Sequence, residues 1–275
     1  MRIQKAVLIF RKDWLEVRRN WQVMLPIVLI PLMFSVLLPT VIIALPSLST
    51  VSPGSSSGDM QTMIDNLPGN VRSEVLGMTD QQVLVYIMSV YFFAPFFLII
   101  PLTTSSVIAS DSIAGEKERK TIEALLATPI SDAELFLGKI LVSFIPTMIV
   151  SVSSFVVYSV IVDVASFSLF HGRFLLPNLS WLMLIFGLSP TLALASIGLA
   201  VIVSTKVKGF KEAQQINGLL LIPILALLFG QISGAMIIGP QMILAMTGIL
   251  VFADVIVFRL GTNRFNREEI LSRLG

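Results

Sequence analysis

The chain has no cysteine and a single histidine, His171, among 275 residues. Without a thiol there is no disulfide framework and no thiolate metal site, and one imidazole cannot furnish the side-chain cluster that a zinc centre needs. Charge is scarce as well. Asp, Glu, Lys and Arg make up 13% of the residues, about half the share found in ordinary soluble domains. With 55% hydrophobic residues gathered into long uncharged runs, the chain is a polytopic membrane protein, and the expected fold class is all-α. Catalytic motifs are missing too. No G-x-x-x-x-G-K-[ST] phosphate loop occurs; the nearest fragment, Gly138-Lys139-Ile140, lacks the upstream glycine and the hydroxyl for magnesium. There is also no G-x-S-x-G elbow and no H-E-x-x-H pair. The expectation is a chain that is not an enzyme, with no catalytic, cofactor-binding or metal-binding residues.

What is present is a series of apolar runs, each long enough to cross the hydrocarbon core as a helix. Six are read, at 22–45, 83–109, 136–162, 181–204, 216–233 and 239–258. From 216 to 258 the apolar sequence is broken only by GQISGAMIIGP, which is either a tight hairpin between two spans or a re-entrant element. Of the 19 Lys and Arg, all but Arg72 and Arg173 fall in the N-terminal arm, in 110–139, in 205–215 or at the C-terminal end. Lys and Arg are retained on the cytoplasmic side, so both termini are expected inside and the number of spans even. Topology therefore accounts for the basic balance, and no nucleic-acid partner is called for. The charged start and the full length of the first apolar run are expected to make it a retained span, not a signal peptide.

The arm, 1–21, is read as a separate interfacial helix. Ile3, Val7, Phe10, Trp14, Val17 and Trp21 recur at alternating steps of four and three along one face, while Lys5, Lys12 and Arg19 repeat every seven on another. Such a helix is expected to lie flat at the inner surface of the lipid bilayer, tryptophans at headgroup level and cations toward acidic lipid. Residues 46–82, opening PSLSTVSPGSSSGD, form an external loop too short and too polar for a catalytic domain. Ionisable groups within the spans are few. Asp163 stands at the outer end of the third span. Asp254, inside the last, is a possible intramembrane polar site on a substrate path, or else a carboxylate near the interface paired with Arg259 or a neighbouring helix. Asn178-Leu179-Ser180 matches the glycosylation triplet, usually an incidental pattern.

The densest charge follows the second span, between Glu116 and Glu123. Read as a helix from Ser112 to Ala127, within a segment 111–130, it places Glu116 at i, i+4 from Lys120 and i, i+3 from Arg119. Pro129 is expected to stop that helix, and Ser131-Asp132-Ala133-Glu134 to cap the next as a capping box. A solvated loop is the plain alternative. A short helix fixed between two spans could instead carry a push from a soluble partner into the membrane.

The string GEKERKTIEALLATPISDAELFLGK, Gly115 to Lys139, resembles the signature of membrane-spanning permease subunits of type-2 ATP-binding-cassette transporters. The matching positions are Glu116, Glu118, Thr121, Glu123, Leu125, Leu126, Pro129, Ile130, Ser131, Glu134, Gly138 and Lys139. The six-span layout, the amphipathic arm and the basic end bearing Phe265-Asn266-Arg267-Glu268 are similar to the family as well. The resemblance implies a single transmembrane domain, 1–275, with a coupling helix between the second and third spans that docks on a separate ATPase subunit. It implies a working unit of two permeases, as a homodimer or a similar heterodimer, and two ATPases, with ATP and magnesium bound on the ATPase chain. It implies export across the plasma membrane, here of a prokaryotic cell. Carried onto this sequence, the ATPase contact is Gly115, Glu116, Glu118, Thr121, Ile122, Glu123, Leu125 and Leu126. The loop 46–82 is smaller than the domain many sodium- and drug-exporting relatives carry there, which leaves the cargo open between ion, drug, peptide and lipid. A secondary transporter or channel that needs no ATPase, and a membrane-anchored assembly factor, remain the competing readings.

Overall fold

In the computed structural model the described residues are 3–48, 69–121, 132–207, 209–233 and 238–264. All regular structure among them is helical. Helix α1, Ile3–Arg19, ends at Asn20, whose extended backbone and side-chain acceptor, 3.1 Å from the Gln22 N–H, cap the first span. That span, α2 (21–48), contains a π-turn at Met33–Leu37. Helix α3, Gly69–Val75, is short and lays Val71 and Val75 on the next span. Helix α4, Asp80–Glu118, starts in a Thr79/Gln82 capping box and carries π-turns at Ile87–Phe92 and Asp111–Gly115. Then come α5, Asp132–Ser166, and α6 (179–206), capped by Asn178 of the Asn-Leu-Ser triplet. The last two are α7 (210–232) and α8, Pro240–Arg264.

Six helices among the described residues are long and apolar enough to span a bilayer. The stretch 216–258 resolves into parts of two of them, Phe210–Gln231 and Pro240–Val257, with 234–237 outside the described residues. Two boundaries differ from the sequence reading. The expected loop 205–215 is helical from Phe210, because FKEAQQIN is amphipathic and buries Ala213 and Asn217 on the bundle. The external loop 46–82 gives up its ends to α2, α3 and α4, while 49–68 lie outside the described residues. At 1.5 Å per residue, α4 is about 58 Å long and α5 about 52 Å, nearly twice the hydrocarbon thickness. Both therefore extend past the membrane at the end of the bundle that holds α1 and the Lys/Arg-rich segments, called here the basic end.

The core is built around α4, the best buried span, flanked by α5 and α6; α2 and α7 also pack on α4, and α8 packs along α6. Its heaviest part is aromatic. Trp181 stacks on Phe155 and Tyr158 and meets Phe97 edge-on. The same residues repair the backbone. The π-turn and Pro95 deprive the carbonyls of residues 89–91 of their usual i+4 donors. Tyr158 Oη donates to Ser89 O at 2.7 Å, Trp181 Nε1 to Val90 O at 2.9 Å and Gln231 Nε2 to Tyr91 O at 3.2 Å. Three other spans thus hold three consecutive carbonyls that would otherwise sit unpaired in apolar surroundings.

Candidate functional site: a charge latch at the basic end

A lysine inside an apolar run must find anions or be expelled from it. Lys139, 3% exposed near the start of α5, donates to Glu116 Oε2 at 2.6 Å, Asp13 Oδ2 at 3.2 Å and Ser112 Oγ at 3.1 Å, and also to the Ser112 carbonyl. Asp13 lies on the buried face of α1, and its Oδ2 also accepts from Ser112 Oγ at 2.9 Å. From the other side Lys12 reaches Glu116 Oε1 at 2.5 Å, with Asp13 Oδ1 at 3.3 Å and Glu16 at 3.2 Å. Burial alone would lower the Lys12 pKa; the hydrogen bond to Glu116, with the charges of Glu116, Asp13 and Glu16, outweighs it and holds the ammonium above its ordinary range. A second limb joins Arg119 to Asp111 at 3.0 Å and Glu16 at 3.9 Å, and Asn20 Nδ2 to Asp111 at 3.1 Å. An open cleft lined by Glu16, Arg19, Asn20, Asp111, Arg119 and Thr121 borders this limb.

The tip of α4 is also tied to the segment that follows α6. Lys117 Nζ donates to Val207 O at 3.0 Å, and Glu118 Oε2 accepts from Phe210 N at 2.9 Å, capping α7. Deeper in, Asn217 Nδ2 donates to Ser110 Oγ at 2.8 Å. Two glycines permit the closeness: a Cβ on Gly115 would stand 2.6 Å from Asp111 Oδ1, and one on Gly209 2.6 Å from Glu118 Oε2. Carboxylate oxygens of Asp13, Glu16 and Glu116 converge as a cation's ligands might. The ammonium groups of Lys12 and Lys139 already pair with these carboxylates, which makes the cluster an ion-pair network.

Several sequence expectations change here. Glu116, expected as a polar contact for a partner, is 1% exposed and faces inward; it pairs with Lys12 and Lys139, not with Lys120. Gly115 is buried as well, while Glu118 and Thr121 are exposed. The helix expected to run from Ser112 to Ala127 is the continuation of α4 and ends at Glu118. Lys120 takes a left-handed conformation, φ 57°, its N–H bonds Lys117 O, and the Thr121 N–H bonds Glu116 O. This is a Schellman terminus with lysine where glycine is usual, which is why the sequence hid it. Ile122, Glu123, Leu125, Leu126, Pro129 and Ser131 lie outside the described residues.

The stripe read on α1 is divided. Phe10, Trp14 and Val17 pack inward, and Val7 and Trp21 are exposed; Ile9, Asp13 and Val17 form the buried line, and α1 rests along α5. Asp254 is 6% exposed on α8, and its Oδ1 has no hydrogen-bond partner among the described residues. Arg259, one of the partners considered for it, stands five residues on, about 140° round the helix at an exposed position. Asp163 instead anchors the chain after α5, accepting the N–H groups of Leu175 and Leu176 at 2.8 and 3.1 Å. Sequence reasoning missed Asp13, Asp111 and Ser112. The signals were an aspartate in phase with the apolar line of α1 and a lysine too deep in the third span to lack a counter-charge.

Six bilayer-length helices among the described residues make this a multi-pass membrane protein. The family model described as ABC-2 family transporter protein matches residues 7–245. The chain belongs to that family and is a permease, a transport subunit and not itself an enzyme. No curated protein and no solved structure matches it.

Proposed function

We propose that the chain is the permease half of an ATP-binding-cassette exporter, driven by ATP hydrolysis on a separate chain that docks at the basic end. The observation that carries this reading is the latch: the tip of α4 is held at once by α1 and α5 through Glu116 and by the 207–210 segment through Lys117 and Glu118. A tip fixed on three sides moves its neighbours when it is pushed. A packed, bistable core converts such a push into rearrangement of spans. The docking surface comprises the exposed residues Glu118, Arg119, Lys120 and Thr121 and the segment carrying Ile122, Glu123, Leu125 and Leu126. In this reading the basic end faces the cytoplasm of a prokaryotic cell, both termini are inside, and the permease works with a second permease copy and two ATPases. ATP and magnesium reside on the ATPase.

The buried position of Glu116 decides how to test this. Reversing Glu116 or Glu118 would break the latch itself, so the informative variants are Lys120→Glu, at an exposed position outside it, and Glu123→Lys. In membranes co-expressing a candidate partner ATPase that co-purifies with the wild-type permease, the pair is expected to abolish co-purification of the ATPase while the permease still inserts. Undiminished co-purification would reject the docking assignment. Robust ATP hydrolysis by the purified permease alone would overturn the division of labour between the chains.

A further inference from the structure

We propose that Asp254 is the anionic anchor of a cargo site at the seam between α6 and α8, and that it accepts a cationic amphiphile. The inference rests on the reading of the chain as a permease and adds a substrate class to it. Its starting point is a contrast. Other nine-tenths-buried charges in the spans and their extensions are matched: Asp111 by Arg119 and Asn20, Glu116 by Lys12 and Lys139, Lys139 by Asp13 and Glu116, and Asp163 by two backbone N–H groups. Asp254 is as buried, yet among the described residues it has neither an ion pair nor a hydrogen bond to Oδ1. An ionised carboxylate withdrawn from water without a partner is strongly disfavoured, so the side chain holds its proton when the seam is empty and gives it up when a cation arrives to pair with it.

Its place on α8 suits an intermittent visitor. Asp254 lies two turns past Thr247 and one turn before Val257 on the face toward α6. The helices meet there over glycines: a Cβ on Gly187 would stand 3.7 Å from Thr247 Oγ1, and one on Gly198 2.4 Å from Val257 Cγ1. These glycines let the two helices approach closely around the level of Asp254. The other face of α8 is apolar and exposed, with Leu244, Ile249 and Phe252 outward. A molecule already dissolved in the lipid can thus approach the seam without crossing water. The class that combines lipid solubility with a positive charge is the cationic amphiphile. No histidine or cysteine is available to give the site metal chemistry, since the chain has no cysteine and His171 lies beyond the far end of α5.

The test needs no ATPase. The full-length permease in nanodiscs is titrated with tetraphenylphosphonium, and with neutral triphenylphosphine oxide for comparison. Saturable binding of the cation is expected, with Asp254→Asn weakening it about tenfold or more and leaving the neutral compound unchanged. Equal affinity of wild type and Asp254→Asn for tetraphenylphosphonium would overturn the proposal, as would an equal loss for both compounds. Asp254→Glu, which keeps the charge, is expected to retain most of the cation binding. If no ATPase co-purifies but the cation binds through Asp254, the exporter reading fails and the site stands. If the ATPase couples and Asp254→Asn binds normally, the reverse holds.

Discussion

Lys139 shows how much depends on one buried charge. It places three N–H donors among Asp13, Glu116 and Ser112. Removing it leaves two carboxylates, 2% and 1% exposed, with one cation fewer between them. Lys139→Met is expected to cost about 3–5 kcal/mol, as breaking a buried pair does, read as a large fall in melting temperature in detergent. Lys12→Gln, at a position 40% exposed, should cost much less. A small effect of Lys139→Met would mean that water fills the network. Gly115→Ala is expected to destabilise in the same assay, because its Cβ at 2.6 Å from Asp111 Oδ1 drives Asp111 from Arg119. The pH response has a definite sign. The Lys12 pKa is raised in the folded state, so its contribution is complete below the ordinary lysine pKa of about 10.4 and is lost only as pH rises beyond it. Melting temperature should therefore show no decline attributable to Lys12 between about pH 7 and 9.5.

At the scale of elements, the long helices depend on repairs supplied by their neighbours. The π-turn of α4 is held by Tyr158, Trp181 and Gln231 from three spans. Tyr158→Phe keeps the ring stacking and removes the donor to Ser89 O, and is expected to cost about 1–3 kcal/mol in thermal unfolding, the penalty of an unpaired buried acceptor. Loss of nothing would show that the carbonyl finds another donor. Packing of α8 on α6 is equally specific: Gly198→Ala should destabilise, and Val257→Ala in the same chain should restore most of the loss, because the clash is with that side chain. Much of this layer was legible in the sequence. Apolar length gave six spans close to their observed places, although the cap at Asn178 went unread, that residue having stood out only in a glycosylation triplet. The π-turns were not legible, since nothing in the sequence of Ile87–Phe92 in α4, or of the further π-turn Leu184–Leu188 in α6, marks an extra residue in the turn. The end of α4 was hidden by a lysine in a left-handed position, and the face α1 buries was hidden because its line of burial includes an aspartate.

For the whole molecule, one of the charges that stood out as a partner's handhold, Glu116, is internal, while Glu118, Arg119 and Lys120 stay exposed. The cluster after the second span was visible as a site from the sequence. Its partners were not, because Asp13 and Glu116 are separated by a hundred residues and meet only when α1 lies along α5. The account therefore makes α1, the tip of α4 and the start of α5 one rigid body at the basic end, through which docking at Glu118–Thr121 reaches the spans. Because the chain has no native cysteine, this can be measured directly. Spin labels at Leu15→Cys on α1 and Ile149→Cys on α5, both exposed, report the distance across the latch in the ATPase complex, with and without trapped nucleotide. The account predicts one narrow distribution that stays the same in both states and broadens in Lys139→Met. A wild-type distribution that shifts by several ångströms with nucleotide, or a Lys139→Met distribution as narrow as wild type, would contradict it.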